Sequence, residues 1–190
     1  MFLSLSLAVG IVASITFFTD RLDGSLMMES KQFLGGDLKY ESDTPLDESS
    51  FPIGEYSYAT IYEFGTVLGS SRKFQLASVK SVSPPYPLIG EFEILKKYDQ
   101  RVLETNPPKS GKVWLDTRLA NLLEVTIDDV INIGEKDFSI SGIILAESDR
   151  GAGSFAFAPK AIMNSSDLEE ANLIQPGSRV RYSYVFDGSQ

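Results

Sequence analysis

No charged side chain occurs between Met1 and Thr19 in "MFLSLSLAVGIVASITFFT". As an α-helix this run is about 28 Å long at ~1.5 Å per residue, close to the ~30 Å hydrocarbon thickness of a bilayer. A secretory signal peptide would begin with basic residues and end in small ones at a cleavage site, whereas apolar residues follow Met1 directly and the far end reads "SITFFTD". A buried core helix is the alternative, because the serines and Gly10 lower the hydrophobicity. A transmembrane helix over residues 1–19, cut short at its start, is the expectation.

The next stretch continues the helix out of the membrane. Thr19 or Asp20 can end the lipid-facing part, and "DRLDGSLMMESKQFL" places Leu22, Leu26 and Phe33 near helical spacing before Gly35-Gly36 stop it. The residues after the span carry no lysine or arginine excess, which places them outside the cytoplasm under the positive-inside bias.

Charge and composition then exclude whole classes of function. With 17 basic against 26 acidic residues the formal charge is −9, and the basic residues are scattered as Arg72-Lys73, Lys96-Lys97 and Arg179/Arg181, so nucleic acid is not an expected partner. The chain contains no cysteine and no histidine. Disulfides, thiolate chemistry and zinc-thiolate sites are closed to it, along with the commonest general base. No cofactor and no metal site is expected: Glu41, Asp43, Asp47 and Glu48 lack the spacing and turn glycine of a hard-cation loop.

From Gly36 the period switches to two. "DLKYESD" reads as a strand, and "EYSYATIYEFGTVLG" and "RKFQLASVKSV" as a hairpin across Gly69-Ser70-Ser71, with Tyr58, Thr60, Tyr62 and Phe64 on one face. "SPPYPLIG" is a turn or crossover, "EFEIL" a strand, "KKYDQRVLETNPPKSG" a polar connection and "KVWLD" a strand. Asp116 is a natural N-cap for a helix over "TRLANLLEV". "VINIGEKDFSISGIIL" reads as a hairpin with Ile131, Ile133, Phe138 and Ile140 inward, and Trp114 as a core or rim anchor.

The stretch "ESDRGAGSFAFAPKAIMN", residues 147–164, most invites a chemical reading. It lacks the GK[ST] ending of a phosphate loop, and Ser154 has a glycine on one side only, with no histidine to deprotonate it. A membrane-anchored serine esterase using Ser154 and Lys160 is one alternative function. A passive lipid- or protein-binding module, with Tyr58, Tyr62 and Phe64 as its contact surface, is another, although aromatic residues on a strand face are more often core. The simpler reading is structural: Gly151 and Gly153 permit a tight bend, and Arg150 ties the junction to carbonyl or carboxylate groups. Pro159 suits the first turn of a helix over "PKAIMNSSDLEEANL", and "SRVRYSYVFDG" is a closing strand.

Taken in order, "FFTDRLDGSL", "LGGDL", "SVKSVSPPYPLIGEFEI", "VWLDTRLANLLEV", "ESDRGAGSFAFAPKAIMN" and "LIQPGSRVRYSY" resemble the periplasmic domain of bacterial FtsX/MacB-like ABC transporter permeases, of the YbbP-type branch. The resemblance implies an α+β, mixed two-lobed domain: a porter-like lobe over residues 20–83 and 149–190, with a small β-rich lobe inserted at 84–148. It implies a permease of four membrane helices in the bacterial inner membrane, with residues 20–190 on the periplasmic side. A separate ATPase subunit and a second permease copy are the implied partners, with membrane lipid around the helices and a periplasmic esterase or thioesterase beside the domain. Members transmit ATP-driven motion across the membrane to act on hydrophobic or lipid-like substrates or envelope partners, so no catalysis is expected in this chain. Since no cytoplasmic lead precedes the first span and the chain stops at Gln190 before a second, it is expected to be a fragment or a truncated reading frame.

Overall fold

The computed structural model describes residues 2–47, 56–147 and 158–188, and of residues 2–8 and 33 it describes the backbone alone. The chain opens as one helix, α1 (Phe2–Leu34), of 33 residues, which at ~1.5 Å per residue is about 50 Å long. The polar side chains in its first half satisfy themselves: Ser14 donates to the Gly10 carbonyl (2.8 Å), Thr16 to Val12 (3.0 Å) and Thr19 to Ile15 (2.9 Å). Val9, Ile11, Val12, Ile15, Phe17 and Phe18 are all exposed, and at ~100° per residue they point to every side of the helix. Among the described residues no helix is long and apolar enough to cross a membrane. The apolar run at 1–19 also draws on residues 1–8, whose side chains lie outside that description.

The remaining described residues build a mixed sheet from β1 (Leu38–Ser42), β2 (Ser57–Gly69), β3 (Phe74–Val82), β4 (Phe92–Lys96), β5 (Gln100–Glu104), β6 (Lys112–Asp116), β7 (Val130–Ile133), β8 (Lys136–Glu147), β9 (Lys160–Asn164) and β10 (Val180–Asp187). Spatial order is β1-β10-β2-β3-β9-β6-β8-β4-β5, and β7 bridges β2 and β8. The β3–β9 and β6–β8 pairs are parallel, while the other pairs are antiparallel. Helix α2 (Thr117–Leu123) follows β6 directly, and the Asp116 carboxylate caps it by accepting the Leu119 N–H at 2.6 Å. The fold is thus mixed helix and sheet, one N-terminal helix leading into one large sheet.

Alternation along the strands gives the sheet two apolar faces. On one, Phe64, Leu68, Val79, Val113, Leu115 and Met163 pack with Leu119 and Leu123 of α2. On the other, Ile61, Val82, Trp114, Ile162 and Val185 pack with Tyr86 and Phe92. The inward residues expected of the β7–β8 hairpin, Ile131, Ile133, Phe138 and Ile140, are all buried, as is Trp114. The segments expected as separate lobes are joined by hydrogen-bonded strands: β9 of the 149–190 segment pairs with β6 of 84–148, and β2 pairs with β7.

Two expected elements are corrected. The polar connection after "EFEIL" contains β5, a strand that pairs with β4 from Phe92↔Glu104 to Lys96↔Gln100; it lies at the sheet edge, where one side faces water and charged residues are tolerated. The helix expected after Pro159 is instead strand β9, buried from Ala161 to Asn164 between β3 and β6. A short apolar run buried on both faces carries no period that separates strand from helix.

Candidate functional site

Where α1 meets the sheet, the chain is fixed from several directions. Gly35 adopts a left-handed backbone (φ 72°), and the N–H groups of Gly35 and Gly36 donate to the Gln32 and Lys31 carbonyls at 3.2 and 3.1 Å, closing the helix. The Gly35 carbonyl then accepts two N–H groups from the "SPPYPLIG" loop, Leu88 at 2.9 Å and Ile89 at 3.0 Å. The next residues enter the sheet at once, as the Asp37 N–H donates to the Phe186 carbonyl of β10 at 2.9 Å. The Asp37 carboxylate pairs with Lys31 of the last helical turn at 2.7 Å and accepts the Gly188 N–H at 2.9 Å. The Lys31 hydrogen bond, followed by that from Gly188, holds the Asp37 carboxyl below the usual carboxylate range.

The loop that grips Gly35 is itself seated in the core. Its Pro84–Pro85 and Tyr86–Pro87 peptide bonds are cis, and Ser83 ties it to β2 by donating its N–H to the Thr60 carbonyl (2.9 Å) and accepting the Thr60 N–H on its hydroxyl (2.8 Å). Tyr86 is fully buried. Its ring packs against Phe92 with centroids 6.0 Å apart, and it lies so near the helix end that a Cβ on Gly35 would stand 3.1 Å from it.

Behind Tyr86 the apolar face contains a buried charge network. Lys80, near the C-terminal end of β3, is 1% exposed; its ammonium donates to the Tyr86 hydroxyl at 2.9 Å and to the Glu147 carboxylate. The other Glu147 oxygen accepts from Lys160 at 2.8 Å. Glu147 ends β8 and Lys160 begins β9, so this carboxylate clasps two strand ends to a third strand, β3. The Lys160 N–H donates to Asp116 Oδ2 at 2.9 Å, which adds the end of β6.

Beside the joint an open cleft of about 650 Å³ separates Met28 and Gln32 of α1 from Ile89, Glu91, Glu93 and Leu103. The helix therefore meets the body through its C-terminal end, with space along the preceding turns. Among the described residues no group of three or more His, Cys, Asp or Glu side chains could hold a metal ion.

The residues singled out in the sequence fall in three places. Tyr62 and Tyr58 are half-buried on β2, Tyr62 edge-on to Tyr182 at 5.6 Å and Tyr58 tilted against Phe186 at 6.1 Å; Phe64 is buried in the core. Arg150, Gly151, Gly153 and Ser154 lie outside the described residues. Lys160 is described, and its ammonium faces Glu147. Sequence reasoning passed over Lys80, Tyr86 and Glu147. The available signal was a lysine inside "FQLASVKSV", followed six residues later by a tyrosine set among prolines.

No family model matches the chain. All of it aligns, at 31% identity over 197 residues, with a protein of Escherichia coli strain K12 named as an uncharacterized ABC transporter permease, YbbP. The chain spans 23% of that relative's length. Among solved structures, the extracellular domain of the noncanonic ABC-type transporter YknZ from Gram-positive bacteria superposes with a TM-score of 0.51 at 10% identity, covering 80% of this chain and 84% of that one. The periplasmic region of MacB from Actinobacillus actinomycetemcomitans gives 0.41 at 14% identity over 70% and 59%. The whole of this chain thus aligns with part of an ABC transporter permease, and it shares its fold with the extracellular domain of the transporter YknZ.

Proposed function

We propose that the domain is the extracytoplasmic lever of its permease, carrying ATP-driven movement of a membrane helix into the sheet and through it to hydrophobic or lipid-like substrates or envelope partners. The joint after Leu34 is the observation that supports this. Helix and sheet are separated by two glycines, both engaged, and Asp37 is already bonded to β10. A rigid element passing into another without slack moves it as a body.

Residues 1–19 lie in the bilayer in this proposal, with the domain on the periplasmic side of the inner membrane. The uncharged run and the hydroxyls bonded within the helix suit a lipid environment, where polar groups must be satisfied internally. ATP is hydrolysed by a separate subunit, the permease acts as a pair of copies, and a periplasmic esterase or thioesterase is the candidate enzyme partner. The chemistry belongs to these partners rather than to this domain.

The test is to insert several glycines at Asp23-Gly24 in the full-length permease assembled with its ATPase. The chain has no cysteine of its own, so a label at Ser71, in the exposed turn between β2 and β3, is selective within it. The Ser71-to-Ser71 distance between copies is expected to change with ATP in the parent and to stop changing in the insertion variant while ATP hydrolysis continues. An insertion variant that keeps the full nucleotide-driven change would overturn the proposal.

A further inference from the structure

We infer that Lys80, Glu147 and Tyr86 form a lock that makes the joint between α1 and the sheet stiff; the inference rests on the proposed lever function. A lever needs more than a short connection, because two glycines in sequence are also a ready hinge. Something beyond the backbone must fix the angle at which the helix enters. The contacts run in one line: Gly35 lies against the Tyr86 ring, the Tyr86 hydroxyl accepts from Lys80, Lys80 donates to Glu147, and Glu147 accepts from Lys160. That line begins at Gly35, directly after α1, and ends on β3, β8 and β9.

The chemistry of the line distinguishes a lock from ordinary packing. Lys80 and Glu147 have side chains 1% and 6% exposed, on a face otherwise made of Val82, Phe92, Trp114 and Ile162. Apolar side chains of the same volume could fill this space, and a buried ion pair replaced in that way is often no less stable. What the pair adds is direction. Apolar surfaces give no preferred direction to the contact, whereas an ammonium held in place by a carboxylate loses its bond to the phenol when the Tyr86 loop shifts, in a low-dielectric setting where that loss is costly. The Lys80 ammonium also stands 4.8 Å from the Tyr86 ring centroid, a contact that depends on ring orientation.

The experiment uses the full-length permease with its ATPase, label pairs at Leu26 and Ser71 within one copy and at Ser71 between copies, and the variant Lys80→Met/Glu147→Leu. In the parent, the Leu26–Ser71 distribution is expected to be narrow and independent of nucleotide while the Ser71–Ser71 distance responds to ATP. In the double variant the first distribution broadens and becomes nucleotide-dependent, and the second loses its response at an unchanged ATPase rate. A double variant that behaves as the parent in both distances overturns the lock and leaves the lever standing. A parent whose Ser71–Ser71 distance ignores ATP overturns the lever instead, and the breadth of the Leu26–Ser71 distribution then decides the lock alone. Tyr86→Phe removes only the hydroxyl and serves if the double variant does not fold: an intermediate broadening supports the lock, and a distribution as narrow as the parent's overturns it.

Discussion

Gly36 lies so close to Val185 that a methyl group on it would come within 2.4 Å of the valine Cγ1 and 2.9 Å of the Phe186 carbonyl oxygen. The carbonyl cannot yield freely, since it accepts the Asp37 N–H at 2.9 Å. Gly36→Ala is therefore expected to force the helix end away from β10 at a cost of about 1–3 kcal/mol, the usual range for overpacking. Urea denaturation measures this, and a variant as stable as the parent would mean that the two elements are not in contact.

A matched pair of glycines separates backbone conformation from crowding. Gly111 and Gly134 both have positive φ, 72° and 65°, but a Cβ on Gly111 meets nothing within 4 Å, whereas one on Gly134 would stand 2.2 Å from the Ala171 carbonyl oxygen. Gly111→Ala is expected to cost about 1–2 kcal/mol, the penalty for a left-handed residue with a side chain. Gly134→Ala adds the overpacking penalty, about 1–3 kcal/mol more. Equal losses in thermal denaturation of the two variants would show that the turn at Gly134 is looser than this geometry.

Much of this architecture is legible in the sequence, and the exceptions have physical causes. The β2–β3 and β7–β8 hairpins could be read because their strands alternate and Gly69 and Gly134 lie at or beside their turns. The Asp116 cap and the end of α1 at Gly35 were equally local signals. Strand β5 was hidden by the charges of an edge, and β9 by burial on both faces, which erases the alternation. The joint was only half visible: its glycines could be read, but the pairing of Lys80 with Glu147 spans 67 positions of sequence and exists only because the fold brings the end of β8 to Lys80 of β3. No local pattern encodes such a contact.

Stability in acid should depend on Asp167. Its side chain is fully buried and accepts from Ser110 (2.6 Å), from the Gly111 N–H (3.0 Å to one oxygen) and from Lys136 (2.7 Å). Burial by itself would push this carboxyl up, but the Lys136, Ser110 and Gly111 bonds together hold it below its ordinary value. A depressed carboxylate contributes stability that is complete above the unfolded-state value, about 3.9, and is lost as pH falls through the folded-state value. Asp167→Asn should cost about 3 kcal/mol at neutral pH, and the gap to the parent should narrow only below about pH 4. Lys136, raised mainly by its hydrogen bond to Asp167, has the opposite sign: its contribution is complete below the ordinary lysine value and fades as pH rises through the raised one. A gap that stays constant from neutral pH down to acid unfolding would rule out the Asp167 assignment.

The buried network predicts an order of stabilities that simple addition of contacts does not. Glu147→Leu removes the carboxylate facing an ammonium that is 1% exposed, whereas Lys80→Met leaves Glu147 still paired with Lys160 at 2.8 Å. The first should be the costlier single change, at about 3–5 kcal/mol, the range for breaking a buried pair. The double variant removes both buried charges, and Lys160, with a side chain 22% exposed, can turn to water. Its stability should lie within about 1–2 kcal/mol of the parent, above that of Glu147→Leu alone, so that adding a second mutation restores folding energy lost to the first. Urea titrations of the four proteins give the coupling directly. Strictly additive losses would mean that Lys80 and Glu147 do not share one buried interaction, and the line of contacts from Gly35 to Lys160 would be broken at its centre.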